Sequence, residues 1–224
     1  MNFEEIILFA VPVIIAITFH EAAHGYMALW CGDDTAKRAG RLTLNPIKHI
    51  DPFGTVILPF LLIFLHAGFV FGYAKPVPVN FSRLNHPRTD MIRVAAAGPA
   101  MNVVLALVSV LLIKTLGSLE GDTAELSGNL LLRSLELNML LAVFNMLPLP
   151  PLDGSKVLAA LLPGRAMNAF LRLERYGMLL LLMLLFILPM VSARSGLHFD
   201  IFGWLVERPA DFLSRSLLRL TGYV

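Results

Sequence analysis

Residues 6–31 read IILFAVPVIIAITFHEAAHGYMALWC, and this stretch decides the fold. Between Glu5 and Asp33 the only formally charged side chain is Glu21, so an apolar run of membrane-spanning length surrounds one carboxylate. A bilayer core of about 30 Å is crossed by about 20 helical residues. The stretch therefore predicts a transmembrane helix, and ionisable groups inside such a helix indicate function because they are costly in lipid.

The composition of the whole chain favours an integral membrane protein. Its 224 residues are 57% hydrophobic and 15% charged, with a mean hydropathy of +0.72. A soluble domain carries about 25% charged residues, so this chain has too few polar groups to cover a globular surface. The same composition excludes a disordered chain, a coiled coil and a disulfide scaffold. The net charge of +2 gives no reason to expect nucleic acid as a partner.

Four further apolar segments follow the first one along the chain. They cover residues 54–74, 94–113, 137–152 and 176–193. Basic residues cluster in 33–53 and 75–93, whereas 115–127 holds none and is acidic. Because Lys and Arg favour the cytoplasmic side of a membrane, both basic stretches are assigned to the cytoplasm.

Residues 54–74 lie between these two basic stretches, so they are not expected to cross the bilayer once. They are also too short to cross it twice, which predicts a re-entrant or surface-lying hairpin. The alternative is an ordinary transmembrane helix, with one of the two basic stretches lying outside the cytoplasm against the Lys and Arg preference. The predicted fold class is an all-α integral membrane protein, a polytopic helical bundle of four spanning helices with an embedded hairpin. Residues 194–224 predict a peripheral amphipathic helix.

The first apolar segment contains the pattern H-E-x-x-H. His20 and His24 are four residues apart and therefore share one face of a helix, where two imidazoles can bind one Zn²⁺. Glu21 follows the first of them and lies within reach of a water at that metal. The alternative interpretation is a polar contact that stabilises the packing between helices.

A catalytic zinc site needs a third protein ligand and one open position. The outstanding candidate is Asp153, at the end of the run N-M-L-P-L-P-P-L-D-G over residues 145–154. The three prolines lack N–H groups and end a transmembrane helix, and Gly154 permits an unusual backbone conformation. Irregular backbone at membrane depth is tolerated only inside protein or beside water, which is where a metal ligand belongs.

With these motifs the sequence resembles the site-2 proteases, which are intramembrane zinc metalloproteases, in their short prokaryotic branch without a PDZ domain. The matching residues are Phe19–Gly25, Ala97–Asn102 and Asn145–Gly154, together with stretches 42–54 and 74–80. The resemblance implies a Zn²⁺ cofactor held by His20, His24 and Asp153, with Glu21 as the catalytic base. It also points to Asn102 and Asn145 as groups that position the substrate or orient the site, although contacts between helices would explain their polarity equally well.

The resemblance further implies cleavage of peptide bonds within or near transmembrane segments of membrane-protein substrates, as in regulated intramembrane proteolysis. The expected partners are such a segment and the lipid bilayer, and the expected location is the plasma or inner membrane, with several passes. Residues 1–193 would form the membrane-embedded metalloprotease core and 194–224 the amphipathic C-terminal segment.

Two other functions stay open on the sequence alone. One is a catalytically silent membrane protein that binds or transports metal, although the presence of Glu21 argues against it. The other is a different membrane zinc protease whose third ligand is a Glu on a later helix, with Glu136 and Glu174 as candidates. The extended stretch 75–79 contains two prolines and is interpreted either as an edge that pairs with a substrate strand or as a plain connector.

Overall fold

Helices make up all of the regular structure in the residues that the computed structural model describes, which are 3–64, 72–116, 122–188 and 200–222. The α-helices are α1 (Phe3–Trp30), α2 (Thr35–Arg38), α3 (Leu58–Phe64), α4 (Pro87–Leu116), α5 (Asp122–Asn145), α6 (Asp153–Leu161), α7 (Gly164–Arg172), α8 (Gly177–Leu182) and α9 (Arg208–Leu220). Short 3-10 turns span Pro46–His49, Phe81–Arg83 and Leu173–Tyr176, and π-type turns span Pro52–Ile57, Met183–Ile187 and Gly203–Glu207. The all-α class predicted from the sequence is confirmed for these residues.

Two of the described helices are long and apolar enough to cross a membrane. They are Glu4–Trp30 and Pro87–Thr115, with mean hydropathies of 2.1 and 2.2. Less than half of the most apolar part of each is buried inside the protein, 28% and 44% respectively. The remaining apolar surface, such as Phe9 at 58% exposed, is of the kind that faces lipid. The other two predicted spans stay predictions, and part of the last one lies outside the described residues.

The core is built where α4 packs against α5. Small and medium apolar side chains meet there, so the helices approach closely; the cluster comprises Ala106, Val110, Leu135, Met139 and Ala210. The last of these belongs to α9, whose Phe212 and Leu220 are exposed while Ala210 and Ser214 are buried. The predicted amphipathic helix therefore forms, and its inner face packs on α4 and α5.

The two ends of the predicted hairpin meet. The backbone N–H of Tyr73 donates to the carbonyl of Gly54 at 3.0 Å, and the Thr55 hydroxyl donates to the carbonyl of Tyr73 at 2.9 Å. A segment that begins and ends at one place does not cross a bilayer once, which agrees with the charge argument. Residues 65–71 of this segment lie outside the described residues.

Residues 73–80 run as non-helical chain beside α1 and are held by polar contacts to earlier parts of the sequence. The N–H of Lys75 donates to the carbonyl of His49 at 2.9 Å, and Arg41 Nη2 donates to the carbonyl of Lys75 at 2.8 Å. The N–H of Asn80 donates to Asp33 Oδ2 at 2.7 Å. The prolines at 76 and 78 supply no N–H group, which explains why this stretch does not continue as helix.

Asp33 is the buried anchor of this arrangement, just beyond the end of α1. Its carboxylate also accepts from the N–H of Thr35 at 3.0 Å and from the Thr35 hydroxyl. Burial opposes its ionisation, but the hydrogen bonds from Thr35 and Asn80 and the nearby Arg83 outweigh burial and hold the pKa of Asp33 below its ordinary value. Ionised Asp33 therefore stabilises the folded state.

Replacing this carboxylate should weaken the fold in a pH-dependent way. We expect Asp33→Ala to lower the free energy of unfolding in detergent by about 1–3 kcal/mol at pH 7, because it removes the buried acceptor of the Thr35 and Asn80 N–H groups. Since the folded pKa is depressed, the stabilisation is present above the unfolded value of about 4 and is lost as the pH falls through the folded value. The difference between wild type and variant should therefore shrink in acid. Asp211→Ala, which removes an exposed ion pair with Arg215, is the control and should cost less than about 1 kcal/mol.

Candidate metal centre

Three potential metal ligands converge where α1 passes the start of α6. His20 Nε2 and His24 Nε2 lie 3.0 Å apart, and each lies 3.2 Å from Asp153 Oδ2. One helical turn separates the two histidines, whereas the aspartate comes from 129 residues later in the chain. The proline-rich break between α5 and α6 brings Asp153 to them, as the sequence predicts.

The donor set fits zinc. Two imidazoles and one carboxylate are the ligands of a catalytic zinc site, and their candidate ligand atoms all lie within 4.8 Å of one another. Ligands on a tetrahedral zinc with bonds of about 2.05 Å would lie roughly 3.3 Å apart, close to the distances found here. Among the described residues, the alternative ligands Glu136 and Glu174 do not belong to this group.

Both histidines are held on their outer side by contacts to α4. His24 Nδ1 lies 2.7 Å from the carbonyl oxygen of Val94, and His20 Nδ1 lies 2.6 Å from Asn102 Oδ1. A carbonyl can only accept, so His24 carries its proton on Nδ1 and presents the lone pair of Nε2 to the metal position. Such outer partners fix the ring orientation of zinc ligands.

Glycine at position 98 lets α4 approach the centre. A Cβ atom there would lie 2.6 Å from His20 Cε1 and Nε2, and it would also collide with His24 Nε2. Any side chain at this point of α4 would therefore occupy the space in which the two imidazoles meet. This close contact of α4 therefore lies at the metal centre itself.

Glu21 faces the same space from α1. Its Oε2 accepts the backbone N–H of Val77 at 2.7 Å, so the non-helical stretch after the hairpin lies directly against this carboxylate. The sequence singles out both Glu21 and the stretch 75–79 but gives no sign that they touch, because 56 residues separate the two partners.

A cavity of about 610 Å³ opens beside these groups. Its wall includes His20, Glu21, His24 and Asp153, residues of the 72–79 stretch, and apolar side chains of α5 and α8. Asn145 also lines it, and its amide nitrogen donates to the carbonyl of Leu141 at 3.0 Å. Lys156 and Glu174, 3.5 Å apart, lie on the same wall. The cavity is large enough for a few residues of extended peptide.

Asn102 occupies a different position from Asn145. It is completely buried between helices and touches His20, so it does not line the cavity. Its amide nitrogen donates to Asn138 Oδ1 at 2.8 Å, and Asn138 is also completely buried. Sequence reasoning missed Asn138, although it is a polar residue in an apolar segment, the same signal that singles out Asn102.

Comparison with known proteins places the chain in one family. The family model described as Peptidase family M50 matches residues 8–130, a range that includes the H-E-x-x-H pattern and Asn102 but ends before Asp153. The chain is 41% identical over 186 residues to "Putative zinc metalloprotease YwhC" of Bacillus subtilis, covering 81% of each protein. It is 28% and 30% identical to the proteins named "Putative zinc metalloprotease Rip2" of Mycolicibacterium smegmatis and Mycobacterium tuberculosis H37Rv, covering 87% of this chain and 71% of each relative. No solved structure matches the chain significantly.

A methyl group at position 98 should disable the centre without unfolding the bundle. We expect Gly98→Ala to lose most bound zinc, because its Cβ would lie 2.6 Å from the His20 ring. The matched control is Gly128→Ala in α5, where a Cβ meets nothing within 4 Å; it should keep its zinc and gain about 0.5–1 kcal/mol of stability. Zinc content per purified protein, with helicity measured by circular dichroism, checks both. Full zinc in a folded Gly98→Ala would contradict the close approach of α4.

Proposed function

The chain belongs to peptidase family M50 and is a zinc metalloprotease of the site-2 type, and from this premise we propose that it hydrolyses peptide bonds inside or beside transmembrane segments of other membrane proteins. One observation carries the proposal above all. Two histidines, an aspartate and a glutamate converge at a single cavity, and the helix that bears three of them is long and apolar enough to lie in a bilayer.

His20, His24 and Asp153 are the proposed zinc ligands. Their donor atoms converge without any rearrangement of the chain, and all three residues line the cavity, which would give water and substrate access to a zinc ion held there. Bound zinc supplies Lewis-acid activation of the scissile carbonyl and of water. The protein supplies the preorganised, largely buried ligands, of which His20 and His24 are each 8% exposed.

Glu21 is the proposed general base. The Val77 N–H donates to Oε2 at 2.7 Å, which restrains the carboxylate at one oxygen, and Oε1 is the oxygen that we propose takes the proton of the attacking water. The same oxygen then passes the proton to the amine that leaves. A base held on one side in this way enters the reaction without losing rotational freedom at each turnover.

The two asparagines receive different proposed roles. Asn145 lines the cavity, and its amide is placed to hold the backbone of an extended substrate. Asn102 is completely buried against His20, so orientation of that ligand is the role its position supports. A substrate helix has its carbonyl groups tied up in hydrogen bonds and must unwind locally before its backbone can lie along Asn145.

The proposed setting is a cell membrane, with the lipid bilayer and a substrate transmembrane segment as partners. The length and apolarity of α1 and α4, and the apolar side chains that they expose, support this setting. We place residues 33–53 and 75–93 on the cytoplasmic side, with 54–74 as a hairpin that enters the membrane from there and returns. In this arrangement the cavity opens toward the cytoplasm, from which water reaches the site.

The mechanism predicts a clean separation between metal binding and catalysis. Glu21→Gln should keep one zinc and a folded structure but reduce cleavage at least about 100-fold, because the water then lacks its base. Asp153→Ala should lose most of the zinc together with activity. New N-termini in membranes from cells that express wild type or Glu21→Gln can be labelled and sequenced. Wild type alone should generate termini inside transmembrane segments; equal termini in both would exclude this mechanism.

The topology predicts which loops an impermeant thiol reagent reaches in intact cells. In a Cys31→Ser background, single cysteines replace Gly40, Asn85 or Glu125. The variant at 125 should react from outside, whereas those at 40 and 85 should react only after the membrane is permeabilised. Labelling at 40 and 85 on opposite faces would mean that residues 54–74 span the bilayer.

A further inference from the structure

We propose that Asn138 is a positioning residue of the metal centre: acting through Asn102, it fixes which nitrogen of His20 faces the metal. Asn138 lies on α5, which contributes no proposed zinc ligand, and it has no contact with the cavity among its described interactions. The inference rests on the proposed function only in taking His20 as a zinc ligand.

A continuous line of hydrogen bonds joins Asn138 to His20. His20 Nδ1 lies 2.6 Å from Asn102 Oδ1, and the amide nitrogen of Asn102 lies 2.8 Å from Asn138 Oδ1. The amide nitrogen of Asn138 in turn lies 2.8 Å from the backbone carbonyl of Ser134. Both asparagines are 0% exposed, so water does not compete for these contacts. The line runs from α1 across α4 to α5.

The backbone carbonyl at the far end determines the direction of every bond in the line. The Ser134 carbonyl can only accept, so the NH₂ side of Asn138 faces it and the oxygen side faces Asn102. Asn102 must then present its NH₂ group to Asn138 and its oxygen to His20. His20 is left with a proton on Nδ1, and Nε2 directs its lone pair at the metal position.

The orientation of an asparagine amide and the tautomer of a neutral histidine are not determined by the residue itself. A partner of fixed direction, here the Ser134 carbonyl, is needed to select one of them. An amide can be turned over, and an imidazole can carry its proton on either nitrogen, at little cost when no partner decides. For His24 a backbone carbonyl selects the tautomer directly, because its Nδ1 faces the carbonyl of Val94. The Nδ1 of His20 faces the Asn102 oxygen instead. The Asn102 amide nitrogen lies 2.8 Å from Asn138 Oδ1 and 3.5 Å from the carbonyl oxygen of Ala16, so Asn138 is the nearer of the two acceptors that orient this amide.

Two serine hydroxyl groups lie beside the Ser134 carbonyl that anchors the line. The Ser109 hydroxyl donates to the carbonyl of Leu105 at 2.9 Å and lies 2.9 Å from the Ser134 hydroxyl, which lies 3.3 Å from the amide nitrogen of Asn138. These serines tie α4 to α5 beside the line. They do not set its direction, because the Ser134 carbonyl remains when the hydroxyl is removed.

The test is the zinc affinity of folded protein, measured in detergent by competition with a chelator. Asn138→Leu keeps the number and branching of the side-chain heavy atoms but removes the nearer acceptor of the Asn102 amide, and it should weaken zinc binding about 10–100-fold. Ser134→Ala is the matched control, since it disturbs the same buried contact and keeps the carbonyl; it should stay within about threefold of wild type. Equal losses in the two variants, or none in either, would overturn the inference.

A double-mutant cycle separates positioning from general support of the fold. If Asn138 acts through Asn102, then adding Asn138→Leu to an Asn102→Leu background should weaken zinc binding no further. The same additional loss in both backgrounds would show that Asn138 acts by another route and would overturn the proposal.

A measurement on the wild type needs no variant to fold. In zinc-loaded protein with ¹⁵N-labelled histidine, His20 should show a protonated Nδ1 and a metal-bound Nε2; zinc on Nδ1 overturns the inference. The variant His20→Ala distinguishes failure of the inference about Asn138 from failure of the proposed metal site. Retention of zinc in His20→Ala removes His20 from the site, whereas loss of zinc there beside full affinity in Asn138→Leu refutes only the role of Asn138.

Discussion

The structure depends on how ionisable and polar groups are satisfied inside helices that are otherwise apolar. His20, Glu21 and His24 lie within about one turn of α1, where lipid would leave them unpaired at a cost of several kcal/mol. Each therefore finds its partner within the protein: two imidazoles meet a carboxylate, and Glu21 meets a backbone N–H. The helices around α1 have to lie where they can provide these contacts, so the chemistry of one helix constrains the packing of the others.

Glycine makes that packing possible at two points. Gly98 allows α4 to pass against both imidazoles, and Gly154 lies so close to the backbone of Met146 that a Cβ there would overlap the carbonyl. The second contact folds the start of α6 back against the end of α5, which holds Asp153 at the depth of the histidines. Small residues thus determine the distance between ligands that lie 129 residues apart in the chain.

The parts of the site that follow local rules could be predicted from the sequence. The spacing of His20 and His24 is a property of the helix, and the prolines before Asp153 break a helix wherever they occur. The contacts of Val77 with Glu21 and of Asn138 with Asn102 could not be predicted, because they join segments 56 and 36 residues apart and depend on how helices rotate about their axes. The ends of the 54–74 segment are an intermediate case. The charge pattern alone predicts that both ends lie on the same side of the membrane, and the Tyr73–Gly54 hydrogen bond shows which residues of the two ends meet.

The metal centre is held differently on its two sides, and this difference bears on how a substrate enters. Behind the histidines, buried side-chain amides and a backbone carbonyl join α1, α4 and α5, and nothing there can move without stranding a polar group. In front of Glu21 lies the 73–80 stretch, which is attached through backbone groups to Arg41, His49 and Asp33 and has no helix of its own. Moving this stretch breaks a few separate hydrogen bonds, whereas moving a helix would disrupt the packed core. The proposed zinc ligands can therefore stay fixed while the wall of the cavity adjusts to the unwound peptide that we propose as substrate.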